Sequence, residues 1–260
     1  MLFRSQGAGT GDGDHPRKRP TPEPLIESFF ENPPGGPPVV GTLHRPPAEP
    51  GDALVLTHGA GSNRDAPLLG AVATAFASAG DLVLRCDLPF RQARPTGPPY
   101  PATAGRDREG LRRAVEAVRR MVPGRVFLGG HSYGGRQASL LASDDPALSS
   151  GLLLLAYPLR PPRGGEPRTA HFPGLHIPSL FVHGSRDPFG TIEDIRAALV
   201  LIPAPTALLP VEGAGHDLLT RRRTGAAPLD VPAAALAAFR RLVGCRSIAR
   251  PLLDTPGGAE

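Results

Sequence analysis

The chain has 260 residues, 40% of them hydrophobic, and a formal charge of +5. That length supports one sizeable core, no run approaches the ~18 consecutive apolar residues of a membrane span, and Met1-Leu2-Phe3 passes at once into polar residues without the apolar stretch of a secretory signal. The charge does not point to nucleic acid either: Lys18 is the only lysine, and the clusters Arg17-Lys18-Arg19 and Arg221-Arg222-Arg223 have no aromatic residues interleaved to stack on bases.

Residues 1–22 are polar and rich in Gly and Pro, and read as a disordered tail; 248–260 reads as a second, flexible one. The span 23–247 between them reads as a single domain. Residues 26–30 and 39–43, separated by Asn32-Pro33-Pro34-Gly35-Gly36, have the pattern of an antiparallel hairpin at a sheet edge. Apolar runs of strand length then recur at 54–56, 82–84, 126–128, 152–156, 180–182 and 207–209. They are continuous rather than alternating, as strands covered on both faces are. Cys86 falls in one of these runs and reads as a small buried side chain. With Cys245 the only other cysteine, the default is a cytoplasmic protein without disulfides.

Helices fill the gaps. Leu111, Val115, Val118 and Val122 share one face of a segment whose other face carries Arg112, Arg113, Glu116, Arg119 and Arg120, and Pro123-Gly124 ends it. Ile192, Ile195 and Leu199 make a second stripe, begun by Thr191 with Asp194 three residues on, as in a capping box. Residues 232–243 form the last, with Leu236, Phe239, Leu242 and Val243 inward. Strand alternating with helix predicts a mostly parallel sheet with helices on both faces. Two stretches break the rhythm: 87–105, which holds five prolines, and 158–178, also rich in Pro, Gly and Arg. Neither suits a helical cap domain, so any site beside them is expected to be open or covered only by loops.

The chemistry is concentrated where Val126-Phe127-Leu128-Gly129-Gly130-His131-Ser132-Tyr133-Gly134-Gly135 carries a strand straight into a helix. A serine on so sharp a turn is forced into a strained backbone conformation with its hydroxyl held clear, and Gly130 and Gly134 leave room for the chain to fold back. Ser132 is the candidate nucleophile. A serine hydroxyl needs a base to take its proton and a carboxylate to orient that base. Asp187 and His216 follow, each on a loop after a strand, in the order of the α/β-hydrolases. Glu212 and Asp217 compete with Asp187 as the acid but stand too close in sequence to His216 to reach its ring comfortably. An oxyanion hole needs two backbone N–H groups. Tyr133, next to the nucleophile, supplies one, and Ala60 in His58-Gly59-Ala60-Gly61-Ser62 is chosen for the other, with Gly61 the next choice. His58, His131 and His183, at strand ends, are given supporting roles. No metal-ligand spacing is present, and the chemistry calls for no cofactor.

Five segments together resemble a known family: His58-Gly59-Ala60-Gly61, Arg85-Cys86-Asp87-Leu88-Pro89-Phe90, Gly129-Gly130-His131-Ser132-Tyr133-Gly134-Gly135-Arg136, Tyr157-Pro158-Leu159, and the run from His183 to Gly190. Over about residues 38–245 they are similar to the KANL/Tex-type α/β-hydrolases, a lidless branch near the dienelactone hydrolases. The resemblance implies an α/β-hydrolase fold, a mostly parallel doubly wound sheet with a nucleophile elbow and no large cap domain, and the same three residues Ser132, Asp187 and His216. Where dienelactone hydrolases carry cysteine, this chain carries serine. The resemblance names no natural substrate, and some relatives, among them a subunit of a eukaryotic histone acetyltransferase complex, act as interaction modules. The expected activity is hydrolysis of a small ester or thioester, with neither nucleic acid nor membrane as partner. The competing reading is a non-catalytic interaction module on the same scaffold, and a narrower one is a cofactor-free peroxidase or acyltransferase.

Overall fold

The computed structural model describes residues 23–219 and 229–244. The tails expected at 1–22 and 248–260, Cys245 and the arginine cluster at 221–223 lie outside the described residues. The strands are β1 (Leu25–Glu31), β2 (Val39–Arg45), β3 (Ala53–Thr57), β4 (Leu82–Cys86), β5 (Val126–His131), β6 (Leu152–Leu155), β7 (Ser179–Gly184) and β8 (Thr206–Val211). They form one sheet in the order β1-β2-β4-β3-β5-β6-β7-β8. Strand β2 runs antiparallel to both β1 and β4, and every other neighbouring pair is parallel. The expected hairpin is therefore present, with β1 at the sheet edge.

The helices are α1 (Pro67–Ser78), α2 (Pro89–Ala93), α3 (Ala104–Arg119), α4 (Tyr133–Asp144), α5 (Ile192–Leu199) and α6 (Val231–Gly244). Successive residues of a strand point to opposite faces, so β3 divides its side chains between two cores. Ala53 and Val55 join Leu111, Val115 and Val118 of α3, Ala138 and Leu141 of α4, and Ile195 of α5. Leu54 and Leu56 join Leu69, Val72 and Phe76 of α1 and Ala235 and Phe239 of α6. On that second face the Phe239 ring lies 5.1 Å from Phe127 and 5.8 Å from Phe76. Helix α5 begins with the expected reciprocal cap: the Asp194 N–H donates to Thr191 Oγ1 at 3.0 Å and the Thr191 N–H to Asp194 Oδ2 at 3.1 Å.

The structure departs from the sequence pattern in three places. Helix α1 has no charged side of its own: its residues are Pro, Leu, Gly, Ala, Val, Thr, Phe and Ser, so polar contrast gives little periodic signal. Helix α2 is five residues long, too short to show a period, and lies inside the stretch 87–105. Helix α3 starts at Ala104 within that same stretch and stops at Arg119, leaving Val122 buried just beyond it. The stretch 158–178 is irregular apart from a 3₁₀ turn at Phe172–Gly174, and no cap domain is built from it. Among the described residues no helix is long and apolar enough to cross a membrane.

Several histidines are buried as neutral rings. His44 is 1% exposed and its Nε2 accepts a hydrogen bond from Arg85 Nε at 2.9 Å, which a protonated ring could not do. Burial, and secondarily the Arg85 charge, pulls its pKa down to about 4. Burial, with the Arg136 charge, does the same to His171. At these two rings the unfolded chain binds more protons than the folded one between pH 6.5 and 4, so the stability they contribute is full above about pH 6.5 and is lost as pH drops, while Asp81, raised to about 6 mainly by burial, opposes them below pH 6. Each of these two groups contributes on the order of 3 kcal/mol across that window. Melting temperatures should therefore decline from pH 6.5 to pH 4, and decline less in His44→Gln. A profile no less steep in His44→Gln than in the wild type would contradict burial of His44 as a neutral ring.

Candidate active site

Ser132 sits between the end of β5 and the start of α4 with φ 52° and ψ −116°. This is a strained conformation for a residue with a Cβ, held only because its surroundings leave no alternative. Those surroundings depend on missing side chains. A Cβ at Gly130 would lie 2.7 Å from the Thr57 carbonyl oxygen, and one at Gly134 2.5 Å from that of His58. With no Cβ there, the Gly134 N–H donates to the His58 carbonyl at 3.1 Å, while the Ser132 N–H donates to Leu155 at 2.9 Å. The turn is thus pinned to the loop after β3 on one side and to β6 on the other.

The three expected residues converge. His216, on the loop after β8, places Nε2 2.7 Å from Ser132 Oγ and Nδ1 2.7 Å from Asp187 Oδ2. The Asp187 side chain is fully buried, and its Oδ1 accepts from the Phe189 N–H at 2.9 Å. A carboxylate facing Nδ1 fixes the proton there and leaves Nε2 free to accept the serine proton. The competing acids are turned elsewhere: Glu212 accepts from Ser185 Oγ, and Asp217 from the Leu219 N–H. Gly184 allows the convergence, because a Cβ on it would stand 2.4 Å from the Ala214 carbonyl and 2.5 Å from that of Gly215. Without one, the loop bearing His216 settles directly on the end of β7. The Phe189 ring packs on the imidazole at 4.5 Å.

The other three histidines serve the backbone. His131 donates from Nε2 to the His216 carbonyl at 2.8 Å, its pKa lowered mainly by burial. His183 donates from Nε2 to the Gly190 carbonyl at 2.9 Å, closing the loop that holds Asp187. His58 accepts the Leu88 N–H at Nε2, 3.1 Å away, and Nδ1 lies 2.9 Å from the Gly59 carbonyl.

Ala60 and Tyr133 line the same cavity as Ser132, and among the described residues neither backbone N–H donates to a loop or turn carbonyl. Sequence reasoning missed the group that holds Ala60 in place. Arg91 is buried, and its guanidinium donates to the carbonyls of Ala60 at 2.8 Å, Ser62 at 2.8 Å, Gly97 at 3.1 Å and Arg94 at 3.2 Å. It meets backbone oxygens rather than a carboxylate, so it stitches the loop after β3 to the segment after α2. The only signal in the sequence was a charge directly after the apolar corner Leu88-Pro89-Phe90. On the other side, Tyr133 Oη donates to Asp107 at 2.8 Å, and that carboxylate also accepts the Phe90 N–H at 3.0 Å. Burial raises the Asp107 pKa. A cavity of about 500 Å³ opens beside Ser132, lined by Pro98, Pro99 and Tyr100 from the first stretch and by Pro158 and Pro162 from the second. Both irregular stretches thus serve as walls. Among the described residues no three His, Cys, Asp or Glu side chains converge to hold a metal.

Comparison with known proteins agrees with this architecture. Dienelactone hydrolase from Anabaena variabilis superimposes with a TM-score of 0.62 at 20% identity, covering 85% of this chain and 96% of that one. Est1E from Butyrivibrio proteoclasticus gives 0.64 at 16%, covering 84% and 99%. A serine hydrolase without lid from Xanthomonas campestris gives 0.58 at 16%, covering 84% and 94%. At such identities the likeness is one of fold. No curated protein sequence matches the chain. Residues 50–244, most of the chain, match the family described as Alpha/beta hydrolase domain, and the chain belongs to that family.

Proposed function

We propose that this protein is a serine hydrolase that cleaves a small carboxylic ester or thioester through an acyl-enzyme, with 23–247 as one catalytic domain. The observation that carries the reading is the unbroken relay from Asp187 Oδ2 through His216 to Ser132 Oγ, 2.7 Å at each step. His216 takes the hydroxyl proton as Ser132 attacks the carbonyl carbon, and Asp187 stabilises the imidazolium that forms. The backbone N–H groups of Ala60 and Tyr133 receive the developing oxyanion. Collapse of the tetrahedral intermediate expels the alcohol or thiol with a proton from His216. Water, activated by the same ring, then releases the acid and restores the serine.

Three things support the reading: the family, the fold shared with proteins described as a dienelactone hydrolase and a lidless serine hydrolase, and the cavity opening onto Ser132. Within the family we place the chain nearest the KANL/Tex-type branch, on the five segments that resemble it. A cytoplasmic location belongs to the same proposal and rests on cysteine usage, Cys86 being a buried thiol.

A fluorophosphonate probe should label Ser132 and no other residue, with peptide mapping locating the adduct and Ser132→Ala abolishing it. Absence of labelling would favour the interaction-module reading. Asp187→Asn should lower kcat for p-nitrophenyl acetate by about three to four orders of magnitude with little change in melting temperature. Glu212→Gln and Asp217→Asn should cost far less, and an Asp217→Asn enzyme as crippled as Ser132→Ala would refute the assignment of the acid. Arg91→Met should lower kcat about 10- to 100-fold with KM nearly unchanged, because it releases the loop that presents Ala60 to the transition state. A rise in KM at constant kcat would show instead that Arg91 shapes ground-state binding.

A further inference from the structure

The acyl-transfer steps leave Arg136 unused. It lies four residues beyond Ser132, one turn along α4, and its side chain lines the same cavity. Among the described residues its guanidinium has no hydrogen bond or ion pair, and its Nε is buried without a partner. A guanidinium carries five N–H donors and is costly to withdraw from water unpaired, so a half-buried one without an acceptor marks a place where an acceptor is missing.

Two more polar side chains line that cavity, Arg168 and Gln137, and among the described residues the Arg168 guanidinium donates only one long bond, to the Pro158 carbonyl at 3.4 Å. Arg168 is held firmly by its backbone: its carbonyl accepts from Tyr157 Oη at 2.7 Å, and its N–H donates to the Leu159 carbonyl at 2.7 Å. Burial, and next the charge of Arg136, depresses its pKa, so the two cations lie close enough to repel. Gln137 is fully buried; its Oε1 accepts from Arg108 at 3.1 Å, which leaves the amide Nε2 buried and unpartnered. No Asp or Glu is among the residues lining the cavity. The neighbouring His171 is kept neutral by burial and by Arg136, and its Nε2 pairs with Ser139 Oγ at 2.8 Å.

We infer that the natural substrate is an anionic ester: a carboxylate on the portion that enters this cavity is bound by Arg136 and Arg168. The inference rests on the proposed acyl transfer and specifies its substrate class. A planar carboxylate matches the guanidinium fork and relieves the repulsion between the two arginines. With water the reaction yields an acid and an alcohol, one of which retains the second carboxylate.

The test compares charged and neutral esters of matched size: p-nitrophenyl hemiglutarate against p-nitrophenyl pentanoate for the acyl side, and 4-acetoxybenzoate against its methyl ester for the alcohol side. In at least one pair kcat/KM should favour the anion by about 10- to 100-fold, and Arg136→Gln should collapse that ratio toward one, with Arg136→Lys retaining part of it. Calorimetry on Ser132→Ala supplies a second readout that needs no turnover: monomethyl glutarate should bind, and should cease to bind when Arg136→Gln is added. Equal rates within both pairs, or a variant that loses charged and neutral substrates alike, would overturn the inference while leaving the serine hydrolase intact. If the phosphonate fails to label Ser132, the hydrolase reading falls, and the calorimetry alone still decides whether the carboxylate site exists.

Discussion

The site hangs on the close approach of three backbone segments around Ser132. The strand β5 must end, reverse and become α4 within one residue, and it does so against the loop after β3, at distances no side chain could share. This is why the glycines matter more than their small volume suggests: each removes an atom that would otherwise lie inside a neighbour's carbonyl. The strain at Ser132 is the local cost of that arrangement, and the parallel sheet on either side absorbs it. The meeting of Ser132, Asp187 and His216 then follows from strand order, because β5, β7 and β8 present their carboxyl ends along the same edge.

Around that centre the polar groups are mostly used to hold backbone. Three imidazoles and one buried guanidinium bind backbone around the site: His58 the Leu88 N–H, Arg91 the Ala60 carbonyl, His131 that of His216 and His183 that of Gly190. Such contacts satisfy groups that an irregular loop would otherwise bury unpaired, and they orient the loop in doing so. The same principle marks Arg136, whose buried Nε has no partner and which has a second cation, Arg168, lining the same cavity.

Much of this was legible in the chain. The strands of the central sheet are unbroken apolar runs, and the order of nucleophile, acid and base, with glycines flanking the serine, sufficed to choose three residues that meet in space. Helix α1 was not legible, because it carries no charged residue to contrast with the face it buries against the sheet and α6. Nor were Arg91 and Arg136, since an arginine in a sequence already rich in arginine carries no local mark of whether it faces water, a carbonyl or a cavity. The choice of His216 over His58, His131 and His183 was legible from its Gly-rich loop after the last strand, but which backbone group each of the other three binds was not.

The hydrogen bond from His131 to the His216 carbonyl has a mechanical consequence. Asp187 and His216 ride together, because the bare Gly184 seats one loop on the strand that leads to the other; the nucleophile belongs to β5, a separate strand with β6 between. Left alone, that gap would be the soft coordinate of the relay, opening and closing as the sheet flexes. His131, the last residue of β5, spans it and turns three points into a braced triangle. His216 is thereby referenced to the strand that carries Ser132, and their alignment is set by the framework before any ligand arrives, with no cap needed to squeeze it into place.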